Sequence, residues 1–213
     1  MATQRMADLI LASASPRRKE LLAQLSSEFI VRASDIDERL EPGPIPEAVA
    51  RLALRKARSV ARDVSSWNQS SDVRSIGSRA LASAVVLAAD TVVVVDQDVL
   101  GKPVDEREAR MMLRKLRGRG HEVVTGVAVI DSSTGRSSSV TVVSRVFMAR
   151  YGDEVINRYV DSGEPLDKAG AYAIQGLGGE LIDGLIGSYS NVVGLPLAET
   201  RRLLTAFGVA VSA

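Results

Sequence analysis

VVLAADTVVVVD, Val85–Asp96, is almost continuous Val, Ala and Leu up to Val95, with no alternation of polar positions. That pattern belongs to a central strand covered on both faces. Such a strand needs layers above and below it, and the flanking sequence supplies helices. Upstream, Pro46 to about Arg62 carries Val49, Leu52, Ala53, Ala57 and Val60 at helical spacing. Earlier still, Asp8–Ala12 reads as a short buried strand feeding a helix at Pro16, and Glu28–Arg32 as the next strand. Downstream, DQD turns the chain, and Asp105–Arg117 forms a helix with Ala109, Met112, Leu113 and Leu116 on one side. His121–Asp131 and Ser139–Met148 are two β-rich runs joined by SSTGRSS, a hairpin by composition, followed by a helix over Gly152–Val160. The glycine-dense segment from Glu164 to Pro196 is expected to form strands joined by tight turns, and Pro196–Phe207 a closing amphipathic helix. Alternating strands and helices define an α/β class with some antiparallel pairing in the second half. The serine-rich stretch Asp63–Ala84 is expected to be a loop or a frayed helical extension.

The chain has 213 residues, 46% hydrophobic and 25% charged, long enough for one large domain or two lobes. With 27 basic and 26 acidic residues the net charge is +1, so no general field recruits nucleic acid or membrane, and any anion site must be local. Absence of cysteine excludes disulfides, thiolate zinc sites and cysteine nucleophiles. A single histidine, His121, leaves almost nothing for imidazole ligation or a Ser/His triad, and at a strand start it reads as structural. Chemistry must rest on carboxylates, Lys, Arg and amides. The N-terminal apolar run is short and broken by Asp8, and no run is long enough to span a bilayer, so a cytoplasmic location is expected and the Asn68 sequon is read as accidental.

Four features break local rules, and such places are where function concentrates. In SASPRRKELL, Ser13–Leu22, Ser15 is a good N-cap and Pro16 suits the first helical position, yet Arg17, Arg18 and Lys19 fill the first turn. Cations face the positive end of the helix dipole there, unless the backbone N–H groups and guanidinium forks cradle a phosphate. Three cations lying in solvent is the alternative. Asp90 places a carboxylate inside the buried strand, where it must be paired, protonated, exposed at the strand end or metal-bound; a turn-capping aspartate is the bland reading. Thr91 points to the opposite face if the strand is regular. Lys56 lies seven residues after Val49 and so faces inward, unless it snorkels out along its stem, whereas Arg51, Arg55, Arg58 and Arg62 read as ordinary solvated charges. Finally, if DQD makes a hairpin, Lys102 returns towards the Asp90 end of the sheet. With Glu38 in DIDER, these cations and carboxylates suit a polyphosphate plus a divalent metal.

In four ordered blocks the chain resembles the Maf family of nucleoside triphosphate pyrophosphatases. They are LASASPRRKELL, DIDE with PEAVARLALRKA, AADTVVVVDQDVLGKP, and DKAGAYAIQGLGG with GSYSNVVGLPL. The resemblance implies an elongated, twisted mixed sheet flanked by helices, a single domain of two lobes around a central cleft. It implies hydrolysis of a nucleoside triphosphate to monophosphate and pyrophosphate, a divalent cation (Mg²⁺ or Mn²⁺) and often a homodimer. The Ala-Ile-Gln ending is similar to the subgroup acting on dTTP and UTP. By matching position, Asp90 is the proton acceptor, and Arg18, Thr91 and Gln175 set base preference. Ser13, Arg17, Glu38, Lys56 and Lys102 match the other polar cleft residues, with Glu38 and Asp90 positioning the metal. The Gln175 carboxamide can accept from N3–H and donate to O4 of uracil or thymine, if Arg18 or Thr91 fixes its orientation; a surface amide before Gly176 is the alternative. Gly176, Gly178 and Gly179 lack GxGxxG spacing, and Asp167–Lys168 reads equally as a solvated pair or part of the cleft floor. A 7-methyl-GTP or modified-pyrimidine substrate, or a non-catalytic nucleotide-binding regulator of cell division, are the competing readings. With 4% aromatics, nucleic-acid binding is disfavoured.

Overall fold

A computed structural model describes residues 8–67 and 84–212. The apolar run Val85–Val95 lies in β3, Ala84–Val95, buried along its length except at the half-buried Thr91. It sits inside a mixed seven-stranded sheet. β1 (Asp8–Leu11) pairs with it in parallel, Asp8 opposite Ala84 and Leu11 opposite Leu87, and β2 (Ile30–Val31) pairs in parallel with β1. The sheet continues β3, β5 (Gly120–Asp131), β6 (Ser137–Met148) and β7 (Ile182–Ile186), the last antiparallel to β6. β4 (Asp98–Leu100) folds back antiparallel on β3, with Val93 opposite Leu100. Asp96 and Gln97 both have positive φ, 51° and 69°, as a two-residue type I′ hairpin turn requires. The DQD hairpin is therefore present.

The helices are α1 (Pro16–Ala23), α2 (Ile45–Trp67), α3 (Glu106–Leu116), α4 (Asp153–Asp161), α5 (Tyr189–Val193) and α6 (Leu197–Ala206). α2 runs beyond the expected end at Arg62, so the start of the serine-rich stretch is helical; residues 68–83, with the Asn68 sequon, lie outside the described residues. Two expectations are corrected. The Glu28–Arg32 strand shrinks to the two residues of β2, both exposed. The glycine-dense segment forms 3-10 turns over Glu164–Asp167, Ala169–Ala171 and Gly176–Leu181 before a single strand, β7. Gly163, Gly170 and Gly176 sit at φ of 75°, 70° and 70°, and residues there leave the extended region a strand needs. No described helix is long and apolar enough to cross a membrane.

Packing divides the chain into two units. One holds the described chain through Asp90, Gly126–Thr141 and the chain from Leu195 onward; the other holds Thr91–Thr125 and Val142–Gly194. In the first, Ala57, Val60, Ala61 and Val64 of α2 share a core with Ile10, Ala12, Ala84, Val86, Ala88 and Ile130. The close approach of β5 to this helix needs Gly126, because a Cβ there would stand 2.7 Å from the Val49 carbonyl. In the second unit, Val93 and Val95 pack with Ala109, Met112, Leu113 and Leu116 of α3 and Ile156, Tyr159 and Val160 of α4.

Candidate active site

On β3, Ala84, Val86, Ala88 and Asp90 share one face, so Asp90 extends the row that packs with α2. On α2, Lys56 stands one turn from Leu52 and Val60 and is likewise buried. A helix face and a strand face that must pack together thus deliver an ammonium and a carboxylate to one place. Lys56 Nζ donates to Asp90 Oδ1 at 2.6 Å, with Lys56 4% and Asp90 8% exposed. Burial disfavours both charges unless they meet, so each makes the other affordable. Lys56 does not snorkel, and Asp90 is paired.

The same ammonium lies 2.8 Å from Glu38 Oε1, which comes from the DIDER loop and is more than half exposed. That loop is tied down by α2. Arg55 donates to the backbone carbonyls of Asp37 and Arg39 and to Glu41 Oε1, while Arg51 donates to Glu41 Oε2 and the Pro42 carbonyl, both at 3.0 Å. The reading of Arg51 and Arg55 as ordinary solvated charges is therefore corrected: Arg55 holds the carbonyls on either side of Glu38, and Arg51 ties the loop further along at Glu41 and Pro42. The available signal was weak, two arginines at i and i+4 on the helix preceded by a proline-punctuated acidic loop.

α1 completes the cluster in this unit. Ser15 caps the helix by accepting from the Arg18 N–H, and no acidic residue occupies the first turn. Arg18 turns its guanidinium back so that Nη1 donates to Ser13 Oγ at 3.3 Å, and Ser13 Oγ also accepts from the Ser15 N–H at 3.2 Å. Burial pulls the Arg18 guanidinium below the ordinary arginine value; the carboxylates of Asp90 and Glu38 oppose that, and Arg17 adds to it. The wrong-sign charges of the first turn thus share an electrostatic neighbourhood with Asp90 and Glu38. Arg17, Arg18 and Lys56 outnumber the two carboxylates, leaving the cluster net positive.

The structure therefore brings together Ser13, Arg17, Arg18, Glu38, Lys56 and Asp90. Thr91, Lys102 and Gln175 belong to the second unit. The Thr125 hydroxyl donates its one proton to the Asn191 carbonyl at 3.1 Å, so in the 2.9 Å contact between the Thr91 and Thr125 hydroxyls Thr91 is the donor. Any further hydrogen bond at the Thr91 hydroxyl is one it accepts. β4 directs Lys102, which is exposed, back along β3 in the direction of Thr91. Gln175 is exposed and extended, at φ −102° and ψ 163°, and its carboxamide makes no hydrogen bond with the described residues, from Arg18 or Thr91 or any other. His121, as expected, is structural: it is buried with Nε2 2.6 Å from the Tyr172 hydroxyl. Lys168 is bound to Asp167 and to the Glu164 carbonyl.

No group of three or more His, Cys, Asp or Glu residues forms a metal cage among the described residues. Two carboxylates sharing one ammonium are instead the hard oxygen set that Mg²⁺ or Mn²⁺ uses when phosphate oxygens and waters complete the shell. The residues fit such an ion.

These features define a mixed α/β protein with a buried acid–ammonium pair set beside an arginine-loaded helix start. The chain belongs to the Maf family: the model described as Maf-like protein matches residues 8–207. It is 50% identical to the dTTP/UTP pyrophosphatase of Anaeromyxobacter dehalogenans (strain 2CP-C) over 203 residues, 94% of each chain. It is 50% identical to the dTTP/UTP pyrophosphatase of Myxococcus xanthus (strain DK1622), over 94% of this chain and 93% of that one. Against the dTTP/UTP pyrophosphatase of Desulforamulus reducens it is 45% identical over 97% of this chain and the full length of the relative.

Proposed function

We propose that this chain is a nucleoside triphosphate pyrophosphatase that converts dTTP and UTP to the monophosphate and pyrophosphate. The observation that carries the reading is the bridge from Lys56 to both Glu38 and Asp90 beside Arg17 and Arg18. The names of its full-length relatives support the substrate class.

In this reading Lys56 occupies one oxygen of Asp90, and the second oxygen makes no hydrogen bond with the described residues. That oxygen orients the attacking water and takes its proton as the water adds to phosphorus and the bond between the α and β phosphates breaks. Arg17, with Lys56 and Lys102, holds phosphate oxygens and stabilises the departing pyrophosphate. Glu38 and Asp90 would hold the divalent cation, which when bound withdraws charge from the phosphate. Gln175 reads the pyrimidine edge, with Arg18 and Thr91 as further contributors to base preference; an accept-only Thr91 hydroxyl favours a base edge carrying an N–H. The enzyme acts as a cytoplasmic homodimer, a state that light scattering on the purified chain measures.

The test is purified protein against a panel of dTTP, UTP, CTP, purine and 7-methyl-GTP substrates, with Mg²⁺, Mn²⁺ or EDTA, scoring pyrophosphate against orthophosphate. Pyrophosphate release from dTTP and UTP, silenced by EDTA and restored by either metal, is expected. Orthophosphate alone, or turnover unaffected by EDTA, overturns the reading.

A further inference from the structure

What orients Gln175 is its backbone, since no described side chain fixes its amide. Two residues before it, the Ala173 N–H donates to the Tyr159 hydroxyl at 3.2 Å. Two and three residues after it, the Leu177 and Gly178 N–H groups donate to the Glu164 carboxylate, at 3.1 Å to Oε2 and 3.2 Å to Oε1. The two anchors are one device, because the Tyr159 hydroxyl donates to Glu164 Oε1 at 3.1 Å. A single carboxylate thus accepts from both sides of the loop that carries Gln175. It also caps the 3-10 turn Gly176–Leu181, whose first N–H groups would otherwise lack partners.

The sequence is shaped to admit this carboxylate. Gly176 is at φ +70°, and a Cβ there would stand 2.8 Å from Glu164 Oε2. A Cβ at Gly178 would stand 2.6 Å from the Tyr159 hydroxyl and 2.5 Å from the Ala173 carbonyl. Glu164 is itself held: its N–H donates to Ser162 Oγ at 3.2 Å, and its carbonyl accepts from Lys168 Nζ at 2.8 Å. Gly176 and Gly178, two of the three glycines that resemble a failed dinucleotide fingerprint, are clearance for the clamp. A carboxylate accepts three donors here; a carboxamide of the same size offers one oxygen and turns its NH₂ toward donors.

We propose that Glu164, acting through Tyr159 and the backbone of residues 173–178, is the positioning residue that sets the base selectivity of Gln175. This rests on Gln175 being the base-reading residue. The clamp fixes where the amide starts from, and small displacements of a reading group cost large factors in discrimination.

The experiment compares kcat/KM for UTP and for CTP in the wild type, E164Q, Y159F, Q175A and E164Q/Q175A, all confirmed folded by circular dichroism. Y159F removes a single hydroxyl and keeps the buried ring, so the test survives if E164Q folds poorly. Expected are a fall of about tenfold to a hundredfold in the UTP-to-CTP ratio for E164Q and Y159F, and a double variant no less selective than Q175A alone. A merely structural role lowers both rates together and leaves the ratio intact. Q175A with a lowered ratio and E164Q with an unchanged one overturns the clamp alone. Q175A with an unchanged ratio overturns the base-reading assignment and the clamp's route through it. A double variant that loses both factors multiplicatively shows independent action and overturns the proposal.

Discussion

Lys56 Nζ stands 2.6 Å from Asp90 Oδ1 with both residues almost wholly enclosed, so the carboxylate depends on the ammonium for its compensation inside the packed sheet face. Asp90→Asn keeps an oxygen for Lys56 to donate to but loses the basic carboxylate. Turnover should fall by about a hundredfold to ten-thousandfold, with the fold retained, as measured by pyrophosphate release and a thermal melt. Near-normal activity in D90N removes Asp90 from the chemistry.

Lys56→Met acts on the other partner with a different signature. It strands Asp90 inside the packed face of β3, whereas D90N still leaves Lys56 beside Glu38 at 2.8 Å. K56M should therefore cost about 3–5 kcal/mol of stability in urea unfolding, and K56M/D90N should recover most of it. Equal stability of K56M and D90N is the opposing result.

Arg55 reaches from α2 to the carbonyls of Asp37 and Arg39 that flank Glu38. Its side chain is a third exposed, so R55A should change the melting temperature little, as surface ion pairs contribute about 1 kcal/mol or less. Activity should respond more, with kcat/KM down about tenfold, because Glu38 loses its backbone support. R55K should fail to rescue, since an ammonium cannot fork across two carbonyls and a carboxylate. Unchanged kcat/KM in R55A shows that the loop holds Glu38 unaided.

How legible all this was in the sequence follows the range of the forces involved. β3 and Lys56 were readable because burial imposes a local pattern: an uninterrupted apolar run, and a lysine on the same bearing as Val49. Asp90 was readable as a carboxylate out of place, and α1 as a helix with the wrong first-turn charges. The ties from Arg51 and Arg55 to the Glu38 loop were not, because a charge on the outer side of a helix looks the same whether or not a distant loop folds onto it. The segment Glu164–Leu181 departs from the expected strands because its glycines serve close tertiary approaches, Gly170 to Val93, Gly176 to the Glu164 carboxylate and Gly178 to the Tyr159 hydroxyl and Ala173 carbonyl, causes with no periodic trace. The extension of α2 past Arg62 agrees with the helical alternative for the serine-rich stretch, whose propensities argue against helix and which packing through Val64 overrides.

Gly126 tests the contact that sets where α2 lies. Its conformation is open to any residue, yet an added Cβ would sit 2.7 Å from the carbon and oxygen of the Val49 carbonyl and 2.8 Å from Ala50 Cα. Backbone cannot rotate away as a side chain would, so the helix must shift. G126A should cost about 1–3 kcal/mol and lower kcat/KM as well, since Lys56 moves with the helix. G101A, where an added Cβ meets nothing within 4 Å, is the control and should leave the melting temperature unchanged. A G126A protein as stable as the wild type shows that the helix yields without strain.

His121 gives the stability a pH dependence that one residue can account for, because it is the sole histidine in the chain. Burial lowers its pKa from the ordinary 6.5 to about 4: the folded protein resists placing a second proton on a ring enclosed beside Tyr172. The unfolded chain binds that proton freely, so between pH 6.5 and about 4 the unfolded state holds more protons and is favoured as pH falls. The contribution is fully present above pH 6.5 and shrinks on acidification through that window, by roughly 2 kcal/mol between pH 7 and pH 5. In H121Q the carboxamide stands in for Nε2 toward the Tyr172 hydroxyl and does not titrate. Urea unfolding at pH 7 and pH 5 should show the wild type losing most of that stability and H121Q losing little of it. An equal loss in both proteins assigns the acid sensitivity to the carboxylates instead.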